Sequence, residues 1–283
     1  MTGRRPLEEY AKELESARGA HRRALLKELE ADPRRGARIL LERERRRERA
    51  EREARRAFQR RFTFERRLWA AGFRRVAGVD EVGRGPLAGP VVTAAVILRP
   101  DAHIPGLDDS KRLDPMERAR LVEPIRRQAL AWSVVTVPPA LIDELNIAQA
   151  VFLGMRRALE TLRVPPDAVL VDGFRIPGLA LPQEAIVGGD GLSNSIAAAS
   201  VLAKVHRDRL MEIWDRRLPG YGFARHKGYA TAEHLAALRA LGPSPIHRRS
   251  FRWGAETAAS AEQLVWPLEE GSARAGNGEG GGA

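Results

Sequence analysis

Apolar and polar residues follow three different rhythms along this chain. Over residues 6–68, Leu and Ala recur among dense Glu and Arg with almost no β-branched residues, a pattern that predicts helix. Asp32-Pro33 breaks this zone once, reading as an N-cap followed by a first-turn proline. Residues 41–50 carry many i,i+4 charge pairs and few apolar positions, which describes an exposed helix; no heptad persists long enough for a coiled coil. From Phe73 to about Trp253, short β-branched runs alternate with helical stretches. Strands are predicted over 75–80, 90–98, 132–137, 168–172 and 184–187, and helices over 115–129, 147–162, 195–218 and 232–241. Asp114-Pro115-Met116-Glu117 reads as a capping box with proline at the first helical position, and Pro124 interrupts that helix. Such alternation makes one α/β domain. Six of the thirteen residues from 271 to 283 are glycine, and no structure is predicted there. The expected division is a basic helical extension over 1–68, an α/β domain over 73–255, and a tail over 256–283, glycine-rich and disordered from about 271.

Composition narrows the function classes. The chain has 283 residues, 43% of them hydrophobic, enough for a sizeable core. Cysteine is absent, which excludes disulfide scaffolds, thiolate metal sites and cysteine nucleophiles. No run approaches the roughly 18 apolar residues of a membrane span, and the N-terminus lacks the apolar core of a signal peptide, so a cytoplasmic protein is expected. The net charge of +11 is uneven: residues 1–70 hold 22 Lys+Arg against 13 Asp+Glu, and the rest hold 26 against 24. An excess at one end suits a polyanion such as nucleic acid, and equally a solvated charged helix.

Four acids carry candidate chemistry. Asp80 and Glu81 end a β-rich run and are followed at once by Gly83-Arg84-Gly85. Successive strand residues face opposite sides, so both acids reach one site only at a strand end or distortion. Glycines flanking an arginine let the backbone approach a ligand closely. Asp172 ends the apolar run from Ala168, and Asp190 follows the short run ending at Val187. Taken singly, each fits a cap or turn as well as a site. Together, four carboxylates at three strand ends, with no cysteine and no His-x-x-x-His pair, point to hard, oxygen-preferring divalent metals.

The stretch Val79-Asp-Glu-Val-Gly-Arg-Gly-Pro-Leu-Ala-Gly-Pro90 resembles the signature of the ribonuclease HII family. The resemblance continues through Asp109-Ser-Lys-Arg-Leu113, Ile142-Asp-Glu-Leu-Asn146, Val171-Asp-Gly173, Gly189-Asp190, the run from Ser195 to Lys204, His226-Lys-Gly-Tyr229 and His247-Arg-Arg-Ser-Phe251, in the family's order across residues 73–253. The first zone is similar to the helical extension of some bacterial members. The resemblance implies an RNase H-like fold: a mixed five-stranded sheet flanked by helices, preceded by a charged α-helical extension. It implies a metal-dependent endonuclease that hydrolyses the RNA strand of RNA–DNA hybrids and incises at single ribonucleotides embedded in duplex DNA, as in ribonucleotide excision repair. Two-metal-ion catalysis with Mn2+ or Mg2+ would leave 3′-OH and 5′-phosphate ends. It assigns catalysis and metal binding to Asp80, Glu81, Asp172 and Asp190, reading of the ribose 2′-hydroxyl to Gly83, Arg84 and Gly85, and stacking on the junction sugar to Tyr229. The expected partners are hybrid and ribonucleotide-containing duplexes, met by a monomer.

Lysine usage adds a reading of its own. The chain has five lysines beside 43 arginines, and all three beyond residue 70, Lys111, Lys204 and Lys227, fall inside these motifs. A compact ammonium donor is expected there, gripping substrate phosphate or bracing the acids. Gly188 stands where bacterial relatives usually carry lysine, which removes one positive charge from that edge. His226 and His247 are candidates for hydrogen bonding or phosphate contact; His21, His103, His206 and His234 read as surface or packing residues, and Trp132 and Trp214 as core. Two other functions fit parts of the pattern: a ribonuclease HIII-like nuclease, which would need a strand-rich N-terminal domain, and a hybrid-binding protein without catalysis, which would not need all four acids.

Overall fold

The computed structural model describes residues 5–252. The expected tail over 256–283 lies outside the described residues. In chain order the elements are α1 (Leu7–Ser16), α2 (Gly19–Ala31), α3 (Arg35–Arg60), α4 (Thr63–Ala70), β1 (Val76–Val82), β2 (Val91–Leu98), α5 (Pro115–Gln128), β3 (Ala129–Val137), α6 (Pro139–Leu145), α7 (Ile147–Glu160), β4 (Ala168–Asp172), β5 (Gln183–Ile186), α8 (Gly189–Leu192), α9 (Asn194–Arg217), α10 (Phe223–His226) and α11 (Ala232–Leu241). The strands form one five-stranded sheet in the order β3-β2-β1-β4-β5. β1–β2 and β2–β3 pair antiparallel, and β1–β4 and β4–β5 pair parallel. This is the mixed α/β architecture expected from the resemblance.

Both faces of the sheet are covered, which explains why its central strands are apolar throughout instead of alternating. On one face Val92, Ala94, Val96 and Leu98 pack with α5 and α9. On the other, Ala77, Val79, Val91, Ala95 and Ile97 pack with Val151, Met155 and Leu159 of α7. The start of α9 carries Ala197, Ala198, Ala199 and Ala203, all fully buried, so the helix lies very close to β1. Gly78 makes that approach possible: a Cβ there would stand 2.2 Å from the Ser195 carbonyl carbon and 2.3 Å from the Ile196 nitrogen.

The N-terminal zone is helical, as its composition predicts, and it has two parts. α1, α2 and the first turns of α3 close around Tyr10, Leu14, Leu25, Leu29, Leu40 and Leu41. Arg22 locks this unit by pairing with the buried Glu44 at 2.9 Å and with Glu48 at 3.2 Å. The far end of α3 and α4 instead join the main body. Phe58 and Phe62 are buried in the core beneath β2, and Phe64, Leu68 and Trp69 pack beside Val76 and Leu170.

Three local expectations change. α5 runs through Pro124 to Gln128, because burial of Leu121, Val122 and Ile125 outweighs the missing N–H. β3 starts at Ala129 instead of 132, its first residues held by pairing with β2. Trp132 is 36% exposed, on the outer strand β3, with Arg126 stacked 4.4 Å from its ring, so it is not a core residue. Among the described residues, no helix is long and apolar enough to cross a membrane.

Candidate active site

The alternation of side chains along β1 and β4 places the acids. Val76 and Gly78 face α9, and so does Asp80, two residues further on. Ala168 and Leu170 share that face in β4, and Asp172 follows in the same phase. β1 and β4 are parallel neighbours in register from Val76↔Ala168 to Val79↔Val171, so Asp80 and Asp172 arrive side by side at the carboxyl ends of their strands. Asp190 completes the group from the first turn of α8. One carboxylate oxygen from each of Asp80, Asp172 and Asp190 lies within 4.8 Å of the others. Glu81 is one residue out of phase and stands beside this trio, outside it. Its Oε1 accepts from Arg84 Nη1 at 3.4 Å, and its Oε2 is buried without a partner.

The trio is held by short local bonds. Asp80 Oδ1 accepts from the Glu81 N–H at 2.7 Å, and Asp172 Oδ1 from the Gly189 N–H at 2.7 Å. Asp190 accepts from the Gly191 N–H at 3.0 Å and from Lys111 Nζ at 3.0 Å. Burial, with Glu81 and Asp172 close by, pushes the Asp80 carboxyl well above the usual range. Burial likewise pushes Glu81 up to about 7, although Arg84 opposes it, and raises Asp172, with Asp190 adding to the effect. Buried carboxyls pushed up in this way are short of positive charge. An all-carboxylate donor set with an unpartnered buried oxygen fits a divalent cation of the Mg2+ or Mn2+ kind.

Asp80 and Asp172 open into a cleft of about 450 Å3, lined also by Glu81, Gly83, Arg84, Gly85, Lys111, Ser200, Lys204 and Tyr229. Lys204 is tied to Asp208 at 2.9 Å. Lys227 pairs with Glu212 at 2.8 Å and does not line the cleft, so the three lysines are not brought together. Gly188 caps α8 at a φ of +65°, with nothing within 4 Å of the point where a Cβ would stand.

The glycine loop rests on two arginines whose roles the sequence did not disclose. Arg207 and Arg248 are both fully buried. Arg248 donates to the carbonyls of Gly83 at 2.5 Å, Arg84 at 2.8 Å and Gly89 at 3.0 Å. Arg207 donates to those of Pro90 at 2.9 Å and Ala88 at 3.2 Å. Gly83 has a φ of +94°, and a Cβ there would stand 2.2 Å from Arg207 Nε, so only glycine fits. Tyr229 is 43% exposed at the cleft, with its ring edge 3.8 Å from where a Gly85 Cβ would be.

A histidine triad sets the Tyr229 backbone. His234 Nδ1 donates to the Tyr229 carbonyl at 2.9 Å, so its Nε2 accepts from His247 Nε2 at 3.0 Å, and His247 Nδ1 accepts from the Ser244 N–H at 2.8 Å. His226 stacks on His234 with ring centroids 4.3 Å apart. Burial holds His247 down to about 4, so the bonded arrangement is that of neutral rings. His226 and His247 therefore hydrogen-bond internally and are buried away from a phosphate.

Comparison with known proteins agrees with this picture. The sequence profile of Ribonuclease HII matches residues 77–253, and that of the Ribonuclease HII N-terminal domain matches residues 7–69. The chain is 52% identical over 234 residues to a ribonuclease HII of Halalkalibacterium halodurans, covering 83% of this chain and 89% of that protein. It is 55% identical over 191 residues to one from Moorella thermoacetica, covering 68% and 93%. Among solved structures, the ribonuclease H2 of Pyrococcus horikoshii superposes with a TM-score of 0.54 at 28% identity, covering 66% of this chain and 97% of that one.

Proposed function

The chain belongs to the ribonuclease HII family, and from that premise we propose that it cuts the phosphodiester on the 5′ side of a ribonucleotide, in RNA–DNA hybrids and at single ribonucleotides embedded in duplex DNA, leaving 3′-OH and 5′-phosphate ends. One observation carries the reading: carboxylate oxygens of Asp80 and Asp172 at adjacent strand ends and of Asp190 in the first turn of α8 lie within 4.8 Å of one another, beside a cleft that also holds a glycine-arginine-glycine loop and an exposed tyrosine. Asp80, Asp172 and Asp190 would hold divalent metal, with Glu81 beside them. Two such ions, Mn2+ or Mg2+, would lower the pKa of the attacking water and stabilise charge on the departing 3′ oxygen.

The remaining residues bind and orient. The 2′-hydroxyl is both donor and acceptor and distinguishes RNA from DNA. Gly83, Arg84 and Gly85 read it through a loop whose carbonyls Arg248 has fixed in advance, so little order must be created on binding. Tyr229, whose ring edge lies 3.8 Å from where a Gly85 Cβ would stand, stacks on the sugar at the RNA–DNA junction. Lys111 and Lys204 bring positive charge to the cleft wall, where they face phosphate.

The test is cleavage of a DNA duplex containing one ribonucleotide, with Mn2+ or Mg2+ and the cut mapped. A single incision on the 5′ side is expected. Asp80→Asn, Glu81→Gln, Asp172→Asn and Asp190→Asn should each lower turnover about a hundredfold or more while cooperative melting persists. No incision with either metal would overturn the reading, and near-normal turnover in one variant at saturating metal would remove that residue from it.

A further inference from the structure

The proposed metal ligand Asp190 is not held by the α/β domain alone. Arg61, at the corner between α3 and α4, sends Nη2 to the Asp190 carbonyl at 3.0 Å and Nη1 to the Leu107 carbonyl at 2.7 Å. Those two carbonyls belong to the two segments whose side chains meet in the site, because Lys111, four residues after Leu107, pairs with the Asp190 carboxylate at 3.0 Å. One guanidinium thus ties together the backbones on either side of the Lys111–Asp190 ion pair. One turn further along, Glu65 is fully buried, and its Oε1 accepts from Ser193 Oγ at 2.7 Å and from the Ser195 N–H at 3.0 Å. Asn194 Nδ2 donates to the Phe58 carbonyl at 2.8 Å. Every residue from 193 to 195, the cap and first two residues of α9, is therefore bonded to residues 58–65.

We infer that Arg61 and Glu65 are positioning residues for Asp190, so that the N-terminal helical segment helps set the metal site without contacting the metal. The chemistry of the contacts argues for more than adhesion. A buried carboxylate is costly unless bonded, and Glu65 spends its bonds on Ser193 and Ser195, three and five residues after Asp190. Hydrophobic packing by Phe58, Phe62 and Trp69 already attaches the segment to the body. Groups that orient a metal ligand from behind commonly change metal affinity 10- to 100-fold when removed. The inference rests on the reading that Asp190 holds metal.

Mn2+ binding to the full-length protein, followed by the EPR signal of free Mn2+, tests it together with thermal melting. Arg61→Ala should weaken Mn2+ binding about tenfold, and Glu65→Gln should weaken it less, since an amide oxygen can still accept from Ser193 and Ser195. The control is Gln59→Ala. Gln59 sits at the same interface and donates to the Ala102 carbonyl at 3.0 Å, on a segment that does not carry Asp190. It should lower the melting temperature with Mn2+ affinity unchanged. Unchanged affinity in Arg61→Ala overturns the inference, as does an equal loss in Gln59→Ala, which would mean general loosening. Asp190→Asn separates the two levels: if it binds Mn2+ as wild type does, the metal-site reading itself falls, whereas loss there with no effect of Arg61→Ala refutes the positioning role alone.

Discussion

Removing one carboxylate from the site should stabilise the metal-free protein. Glu81 titrates at about 7 in the fold, chiefly because it is buried, against 4.5 for an ordinary glutamate. The folded state therefore binds more protons than the unfolded chain between these values, so stability falls as pH rises from about 4.5 to about 7, and the penalty is complete above that range. At about 1.4 kcal/mol per pKa unit the penalty reaches roughly 3 kcal/mol at pH 8 and is under about 1 kcal/mol at pH 5. Glu81→Gln removes it and also gives up a 3.4 Å ion pair with Arg84, which is 40% exposed and worth little. A net gain of about 2 kcal/mol at pH 8 corresponds to a rise of roughly 4–8 °C in melting temperature. Melts of wild type and variant in EDTA at pH 8 and pH 5 measure it. Saturating Mn2+ should shrink or reverse the difference, because wild type gains binding energy that the variant lacks. A variant less stable than wild type in EDTA at pH 8, or equally stabilised at both pH values, would refute the reasoning.

Three further outcomes are expected. Gly78→Ala places a methyl 2.2 Å from the α9 backbone, so α9 must retreat by more than 1 Å from β1; a loss of about 3 kcal/mol in urea unfolding is expected, and an unchanged midpoint would contradict the packing described. Tyr229→Ala should lower kcat/KM at a lone ribonucleotide about tenfold or more while Tyr229→Phe keeps most of it; equal rates for all three proteins would remove the stacking role. Removing residues 1–57 takes away 18 Lys+Arg and 12 Asp+Glu yet spares Phe58, Arg61 and Glu65. If the small helical unit contacts the duplex, the plot of log affinity against log salt becomes shallower, whereas an unchanged slope means that it does not.

Legibility from sequence followed the strength of local signals. β4 and α11 match the predicted 168–172 and 232–241 in full, one closed by Asp172-Gly173 and the other set between the Thr231 cap and Gly242. α6, α8 and α10, at four to seven residues, are too short to display a period and were not foreseen. In the site, Asp80 and Asp172 were readable because each closes an apolar run, and period two alone explains why they meet while Glu81 stands aside. Arg207 and Arg248 were not readable as buried groups. A guanidinium in sequence reads as surface, and what draws these two inside is a set of carbonyls more than a hundred residues away. Glu65 was hidden differently: as a lone acid between Phe64 and Arg66 on a short helix, it reads as a surface charge, and its partners come from residues 193–195.

The arginine pair beneath the glycine loop gives the cleft a source of attraction that dissolved ions cannot easily cancel. Burial holds Arg248 down to about 9, still charged at neutral pH, and Arg207 and Arg248 donate to main-chain carbonyls where a carboxylate would have neutralised them. Exposed arginines on α3 lose their pull on a polyanion as the Debye length shrinks from about 10 Å at 0.1 M salt to about 3 Å at 1 M. No mobile anion can settle against a side chain with no exposed surface, so the field of the inner pair reaches the glycine loop through protein instead of through solvent. The molecule thereby separates two kinds of positive charge, an outer set tuned by ionic strength and an inner pair that stays constant beneath the glycine loop.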